Sequence, residues 1–151
     1  MQRLGLLDQL MFKLDEGGMS PMYMCGGMIL DTADSPYPVN GDVVVDHLAA
    51  CMQEIPLMRQ RLVQDPLKLG DLRLVDDACD DVRKQVSGRT LAAPGGYDEL
   101  TEAFGRFSAS RLDLSAPLWH FEVIDGLADG QIAIAMHVHH AILDGSAAER
   151  I

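Results

Sequence analysis

The stretch His137-Val138-His139-His140-Ala141-Ile142-Leu143-Asp144-Gly145 is more informative about this chain than any other. It contains the pattern His-His-x-x-x-Asp-Gly, which follows an apolar segment and precedes residues where another helix can begin. That order is typical of a histidine base at the end of a strand, with an aspartate and a glycine holding the turn beneath it. Because the pattern lies close to the last residue, Ile151, we expect the chain to be part of a longer protein.

The residues before the motif predict a helix followed by two strands. Residues 119–124 and 131–138 have the pattern of strands, joined by a Gly-rich turn at 125–130. Upstream, Pro94-Gly95-Gly96 marks a break. After it, apolar residues recur at helical spacing: Leu100, Ala103, Phe104 and Phe107. The motif is therefore expected at the end of the second strand of a hairpin.

The first half of the chain mixes helices and strands. A first helix carries the apolar residues Leu6, Leu7, Leu10, Met11 and Leu14, with Asp15 among the polar residues opposite, and ends at Gly17-Gly18. Residues 22–30 predict a buried strand and residues 31–40 a loop. A second helix, with Asp42 as its predicted N-cap, stops at Pro56, and residues 67–75 predict a strand or hairpin. The fold class is therefore α/β or α+β, in one domain.

Composition limits the possible partners and compartments. The 151 residues carry a formal net charge of −11, which argues against nucleic acid because phosphate binding requires a basic patch. Cys25, Cys51 and Cys79 form no CxxC pair, so we expect buried, reduced thiols in a cytoplasmic protein. No apolar run reaches the roughly 20 residues of a membrane-spanning helix, and the N-terminus does not have the pattern of a signal peptide.

Three kinds of chemistry could use the histidine cluster. On a strand, His137 and His139 share one face and His140 points the other way. A metallo-hydrolase cluster would need aspartate where Ala141 stands, so we expect no metal. His137 has the character of a hydrogen-bonded core residue. The adjacent His139-His140 pair points to general-base catalysis, because a neutral imidazole can take a proton from a hydroxyl or an amine.

Several segments around the motif, taken together, resemble the wax ester synthase/acyl-CoA:diacylglycerol acyltransferase family. Besides HHAILDG, they are LDLSAPLW at 112–119, the opening RLGLLD at 3–8 followed by Phe12 and Glu16, Pro21-Met22-Tyr23, PLMRQRL at 56–62 and LAAPG at 91–95. Two positions depart from the family pattern: Gln85-Val86-Ser87-Gly88 replaces a His-Val-Arg-Arg stretch, and Ala92 replaces a proline.

The resemblance implies a chloramphenicol-acetyltransferase-like fold, of which residues 1–151 would form the N-terminal half, a mixed sheet with flanking helices. The C-terminal half, absent from this chain, would complete a tunnel between the two. By resemblance, His140 is the general base, His139 supports it, Asp144 is structural and Gly145 is the turn glycine. The donors that stabilise the oxyanion would be partly in the other half.

The implied reaction transfers a long-chain acyl group from acyl-CoA, a co-substrate, to diacylglycerol or a fatty alcohol, with no bound cofactor. The protein would be cytoplasmic, with possible peripheral contact with membranes or lipid inclusions. Two alternatives stay open. One is a condensation-type or polyketide-associated acyltransferase with another acceptor, and the other is a catalytically silent protein that binds lipid or acyl-CoA.

Overall fold

The computed structural model describes residues 2–64, 72–76 and 82–142 of the chain. Its strands form two sheets. The smaller sheet has the order β1-β4-β3 and contains β1 (Gln2–Arg3), β3 (Gln60–Val63) and β4 (Arg73–Asp76), all antiparallel. The larger sheet has the order β2-β7-β6-β5 and carries the histidine motif on β7.

The larger sheet is mixed, as the sequence predicts. Its strands are β2 (Tyr23–Leu30), β5 (Val86–Thr90), β6 (Trp119–Asp125) and β7 (Ile132–His139). The predicted hairpin is confirmed, since β6 and β7 pair antiparallel, and β2 pairs antiparallel with the other edge of β7. Only β5 lies parallel to its neighbour β6. The strand that ends in the motif is therefore held on both sides.

Three α-helices surround the sheets: α1 (Leu6–Glu16), α2 (Gly41–Glu54) and α3 (Tyr97–Ala109). Short 3₁₀ helices cover Pro56–Arg59 and Val82–Gln85. The N-cap of α2 is Asn40, whose side chain accepts a hydrogen bond from Val43 N, and not Asp42, which lies in the first turn. The glycine stop of α1 is confirmed at Gly17, its C-cap.

The larger sheet is covered on both faces. Neighbouring strand residues point to opposite sides, and Val123 of β6 packs in a cluster with Val44 and Val45 of α2. Ile124 packs in a second cluster with Ala103 and Phe107 of α3. Helices α2 and α3 therefore bury opposite faces of the sheet that positions the motif.

Three predictions about burial are wrong. The strand β2 lies at a sheet edge, and most of its residues are exposed, Met28 and Ile29 among them. In α1, Leu6, Leu7 and Leu10 are exposed, whereas Phe12 and Asp15 are buried. The face of this helix that packs against the core is thus a different one from the leucine face that the sequence predicts. The side chain expected on the polar face, Asp15, lies inside.

Cys25 and Cys51 are free thiols, as predicted, but the prediction that they are buried is wrong, because both are exposed. Cys79 lies outside the described residues. The sequence also does not reveal β3 and β5. The strand predicted over residues 67–75 is tested only by β4 (Arg73–Asp76), since residues 65–71 are not described.

Candidate active site

The histidine motif leaves the sheet through a tightly bonded turn. His139 N donates to Leu118 O at 2.9 Å, and His140 N donates to Met22 O at 2.9 Å. Ile142 N then donates back to His139 O at 3.1 Å. These bonds tie the end of β7 to the segments entering β6 and β2. The backbone around His140 is therefore fixed by two other parts of the chain and by one bond within the turn.

The His139 ring is fully buried and forms part of this turn. Its Nδ1 accepts a hydrogen bond from Ala141 N at 2.9 Å, so the neutral ring carries its proton on Nε2. That Nε2 faces Asp15 Oδ2 at 3.5 Å. Burial is the main cause that lowers the pKa of His139 to about 4; the Asp15 charge opposes the shift and His140 adds to it. At neutral pH, His139 is an uncharged structural ring and not a proton acceptor.

Asp15 and Arg111 complete the surroundings of His139. Arg111 Nη2 donates to Asp15 Oδ1 at 2.9 Å and also reaches Asp15 O at 3.3 Å. The hydrogen bond to Asp15 and the proximity of Tyr23 raise the pKa of Arg111, which keeps the guanidinium charged. The carboxylate is buried, whereas 61% of the arginine side chain is exposed. The pair therefore links the interior behind the motif to the surface.

Aromatic rings fill the space around the two buried histidines. Tyr23 lies between them, with centroid distances of 5.7 Å to His137 and 5.6 Å to His139. Phe107 stacks on His137 at 4.5 Å, and Phe12 lies 5.9 Å from His139. Burial and then Asp15 raise the pKa of the Tyr23 hydroxyl, which is therefore neutral.

His137 is a core residue, as predicted, but it is not hydrogen-bonded as expected. Both ring nitrogens are buried and have no hydrogen-bond partner of normal geometry among the described residues. Burial is the first cause that lowers its pKa, followed by His120. His137 and His139 share one face of β7 and both contact Tyr23, which confirms the alternation inferred from the sequence.

His140 lies in the turn after β7 and is half-buried. Two cavities in the described part of the chain do not include it in their lining. One, of about 450 Å³, has Arg111 and His120 in its wall, and the other, of about 520 Å³, lies between α3 and the β2–β7 edge beside Phe104. The other two predicted site residues, Asp144 and Gly145, lie outside the described residues.

Sequence reasoning missed Asp15, Tyr23 and Arg111 as parts of this site. Asp15 follows the buried Phe12 by three residues, which places both on one helical face. That spacing could have indicated that Asp15 is buried, but the run of leucines in α1 indicates that a different face of the helix packs against the core. Arg111 is separated from Asp15 by 96 residues, and a single sequence carries no sign of that contact.

Other polar pairs lie near the motif but are separate from it. Ser87 Oγ lies 2.9 Å from His120 Nε2, and burial is the main cause that lowers the pKa of His120. Trp119 is fully buried and donates from Nε1 to Met58 O at 2.8 Å, so it packs in the core.

Two features are absent from the described ranges 2–64, 72–76 and 82–142. No group of three His, Cys, Asp or Glu side chains there has the arrangement of a metal site. No helix there is both long enough and apolar enough to span a bilayer.

Comparison with known proteins agrees with the resemblance seen in the sequence. The sequence model of the wax ester synthase/diacylglycerol acyltransferase catalytic domain matches residues 4–151. A probable diacylglycerol O-acyltransferase of Mycobacterium tuberculosis is 35% identical over 122 residues, covering 81% of this chain and 26% of that protein. A putative diacylglycerol O-acyltransferase of the same organism is 32% identical over 148 residues, covering 97% of this chain and 29% of that protein. The chain thus spans less than a third of the length of these relatives.

Solved structures show the same fold. The wax ester synthase/diacylglycerol acyltransferase from Marinobacter aquaeolei VT8 superposes with a TM-score of 0.76 at 28% identity, covering 99% of this chain and 37% of that one. The first condensation domain of the calcium-dependent antibiotic synthetase superposes with a TM-score of 0.70 at 13% identity, covering 97% and 35%. The predicted fold class, a chloramphenicol-acetyltransferase-like mixed sheet with flanking helices, is confirmed by these neighbours.

Proposed function

Because this chain belongs to the wax ester synthase/diacylglycerol acyltransferase family, we propose that it supplies the base of a long-chain acyltransferase. The reaction would transfer an acyl group from acyl-CoA to the hydroxyl of diacylglycerol or a fatty alcohol. The products would be a triacylglycerol or a wax ester, and free CoA.

The observation that carries this proposal is the difference between the two motif histidines. His139 is buried, neutral and bonded into the turn through Nδ1, so it cannot accept a proton from a substrate without losing that bond. His140 follows it in the turn and is half-buried. We therefore take His140 as the member of the pair that an acceptor hydroxyl can reach.

The proposed step is one direct transfer. The His140 imidazole takes the proton of the acceptor hydroxyl while the oxygen attacks the thioester carbonyl. The tetrahedral oxyanion collapses, the carbon–sulfur bond breaks, and the thiolate of CoA leaves with the proton from the imidazolium. Donors that stabilise the oxyanion are needed, and we assign them to residues beyond those described. Neither a metal ion nor a bound cofactor enters this scheme.

Asp144 and Gly145 keep the roles that the resemblance implies. Asp144 would hold the turn after His140 through an arginine or backbone amides, and Gly145 would allow the backbone to enter the next helix. The C-terminal half of the same protein would close the tunnel that excludes water from the thioester. Peripheral contact with a membrane or lipid inclusion would deliver the acceptor to a cytoplasmic protein.

The test is product formation by the full-length protein. Radiolabelled palmitoyl-CoA is incubated with dioleoylglycerol or hexadecanol, and the lipids are separated by thin-layer chromatography. We expect labelled triacylglycerol or wax ester, formed only when the acceptor is present. Transfer only from or to a carrier protein would instead favour the condensation-type alternative. Binding of palmitoyl-CoA with no product from any acceptor would favour the catalytically silent alternative.

A further inference from the structure

Asp15 occupies a place that both burial and helix electrostatics disfavour. It lies in the last turn of α1, where the negative end of the helix dipole repels a carboxylate. Its side chain is also fully buried, which costs several kcal/mol for a charged group unless partners compensate. Positions where a chain breaks such local rules are expected at functional sites.

Arg111 compensates only one side of the carboxylate. Its Nη2 donates to Oδ1 at 2.9 Å. The other oxygen, Oδ2, is buried and has no hydrogen-bond partner of normal geometry among the described residues. Oδ2 faces His139 Nε2, which is equally buried and equally unpartnered, at 3.5 Å. A small approach of the two groups would complete a hydrogen bond from the ring to the carboxylate.

The opposite side of the His139 ring connects this contact to His140. Ala141 N donates to Nδ1 at 2.9 Å, and this bond requires Nδ1 to be without a proton. The proton of the neutral ring must then be on Nε2, facing Asp15. Since His140 lies between His139 and Ala141, the ring orientation fixes the backbone on both sides of His140.

From this geometry we propose that Asp15, held by Arg111, is a positioning residue that acts through the His139 ring on the turn that presents His140. The inference depends on the proposed function, because the role of Asp15 is defined by the base that it positions. Asp15 itself does not contact substrate. It sets the tautomer and the rotation of His139, as a carboxylate does for a histidine that must keep one nitrogen free.

The variant Asp15→Asn separates this role from simple packing. Asparagine has nearly the same volume, but its side chain offers one oxygen and one NH₂ group. In either orientation the NH₂ group replaces an oxygen that faces a donor, Arg111 or the Nε2–H of His139, although the Tyr23 hydroxyl also interacts with this side chain. The ring could relieve that clash only by moving its proton to Nδ1, which would break the bond from Ala141. Asp15→Glu keeps both acceptor oxygens.

Kinetics of the full-length protein give the first measurement. We expect Asp15→Asn to lower kcat by about 10- to 100-fold with KM for palmitoyl-CoA changed less than about twofold, since positioning and not binding is lost. Asp15→Glu should recover part of kcat. The control Asp42→Asn, an exposed carboxylate in the first turn of α2, should behave as wild type. Wild-type kcat in Asp15→Asn would overturn the proposal.

The second measurement does not need turnover. Long-range ¹H–¹⁵N spectra of the ¹⁵N-histidine-labelled full-length protein report the tautomer of His139. We expect the Nε2–H form at pH 7 in wild type and Asp15→Glu, and loss of that single form in Asp15→Asn. Unchanged His139 signals in Asp15→Asn would overturn the pairing. Because the spectra read the pairing directly, an inactive wild type with the expected spectra would contradict the proposed function alone.

Arg111→Lys keeps the test decisive if Asp15→Asn does not fold. The Arg111 side chain is 61% exposed, so a lysine there can keep its positive charge. Lysine cannot, however, reproduce the contacts of Arg111 to both Asp15 Oδ1 and Asp15 O. A lower kcat together with altered His139 signals is expected. Wild-type kcat and wild-type signals in this variant would overturn the role of the pair.

Discussion

The backbone N–H of Ala141 donates to Nδ1 of His139 over 2.9 Å, so the side chain of the first motif histidine is a structural part of the turn that carries the second. This single bond explains why the two neighbours differ in chemistry. The His139 ring is fixed, neutral and enclosed, whereas the His140 ring is half-buried. In the proposed mechanism, the pair combines a support, His139, with a base, His140.

Replacing His139 by leucine should destabilise the fold as well as abolish activity. The substitution leaves Ala141 N buried without an acceptor, which costs about 1–3 kcal/mol. It also removes a buried ring that packs beside Phe12 and Tyr23 and faces the Asp15 carboxylate. We expect the free energy of unfolding to fall by about 2–4 kcal/mol in urea titrations. The control is His47→Leu on the exposed face of α2, which should change it by less than about 0.5 kcal/mol. Equal stability of the two variants would contradict the assigned structural role.

The depressed pKa of His139 predicts a pH-dependent stability. An unfolded histidine titrates near 6.5 and His139 in the fold at about 4, so between these values the unfolded chain binds the additional proton. Stability that is fully present above pH 6.5 should therefore decrease as the pH falls toward 4, by at most about 3 kcal/mol from this residue. His120 and His137, whose pKa values are also lowered by burial, act in the same direction.

The measurement is a series of urea titrations between pH 4 and 7.5 on wild type and His139→Gln. The stability difference between the two proteins should shrink as the pH falls. A difference that stays constant over that range would mean that His139 does not titrate with a lowered pKa.

Trp119 anchors the start of β6 through packing and one hydrogen bond. It is fully buried, and its Nε1 donates to Met58 O at 2.8 Å. Trp119→Phe should cost about 1–2 kcal/mol, mostly the lost bond, and Trp119→Ala about 3–5 kcal/mol, because a large cavity is left. Chemical denaturation measures both. A larger loss from phenylalanine than from alanine would contradict the packing role.

Replacing Gly95 or Gly105 by alanine should change the stability of the fold in opposite directions. Gly95 has a φ of +70°, and an added Cβ would clash with Gly126 O, whereas Gly105 is inside α3 with open space where its Cβ would lie. Gly95→Ala should destabilise by more than about 2 kcal/mol. Gly105→Ala should stabilise by about 0.5–1 kcal/mol, because alanine favours the helix. Thermal unfolding of the two variants tests the loop geometry, and a shift of the same sign in both would contradict it.

Much of the larger sheet could be predicted from local patterns. The apolar strands around a Gly-rich turn predict the β6–β7 hairpin, and the spacing from Leu100 to Phe107 predicts α3. The short strand β5 could not be predicted in this way, since only its first residue, Val86, is buried. It exists because it pairs in parallel with β6, a contact made across 30 residues of chain or more.

In the candidate site, too, local patterns could be predicted from the sequence and contacts between distant residues could not. The motif itself identifies His139 and His140, because adjacent histidines before Asp-Gly form a local pattern. Asp15 could not be recognised as their partner, since a polar residue in an amphipathic helix is ordinarily placed on the outside. Its burial depends on Arg111 and His139, which lie 96 and 124 positions along the chain. Only the folded structure brings these groups together.

The proposed base is tested most directly by replacing His140 alone in the full-length protein. The measurement is the initial rate of free-thiol release from palmitoyl-CoA, with dioleoylglycerol or hexadecanol as acceptor, for wild type, His140→Ala and the control His47→Ala. We predict acceptor-dependent release that falls by at least about 100-fold in His140→Ala with unchanged stability, and wild-type release in His47→Ala. Near-wild-type release from a folded His140→Ala protein would contradict the account.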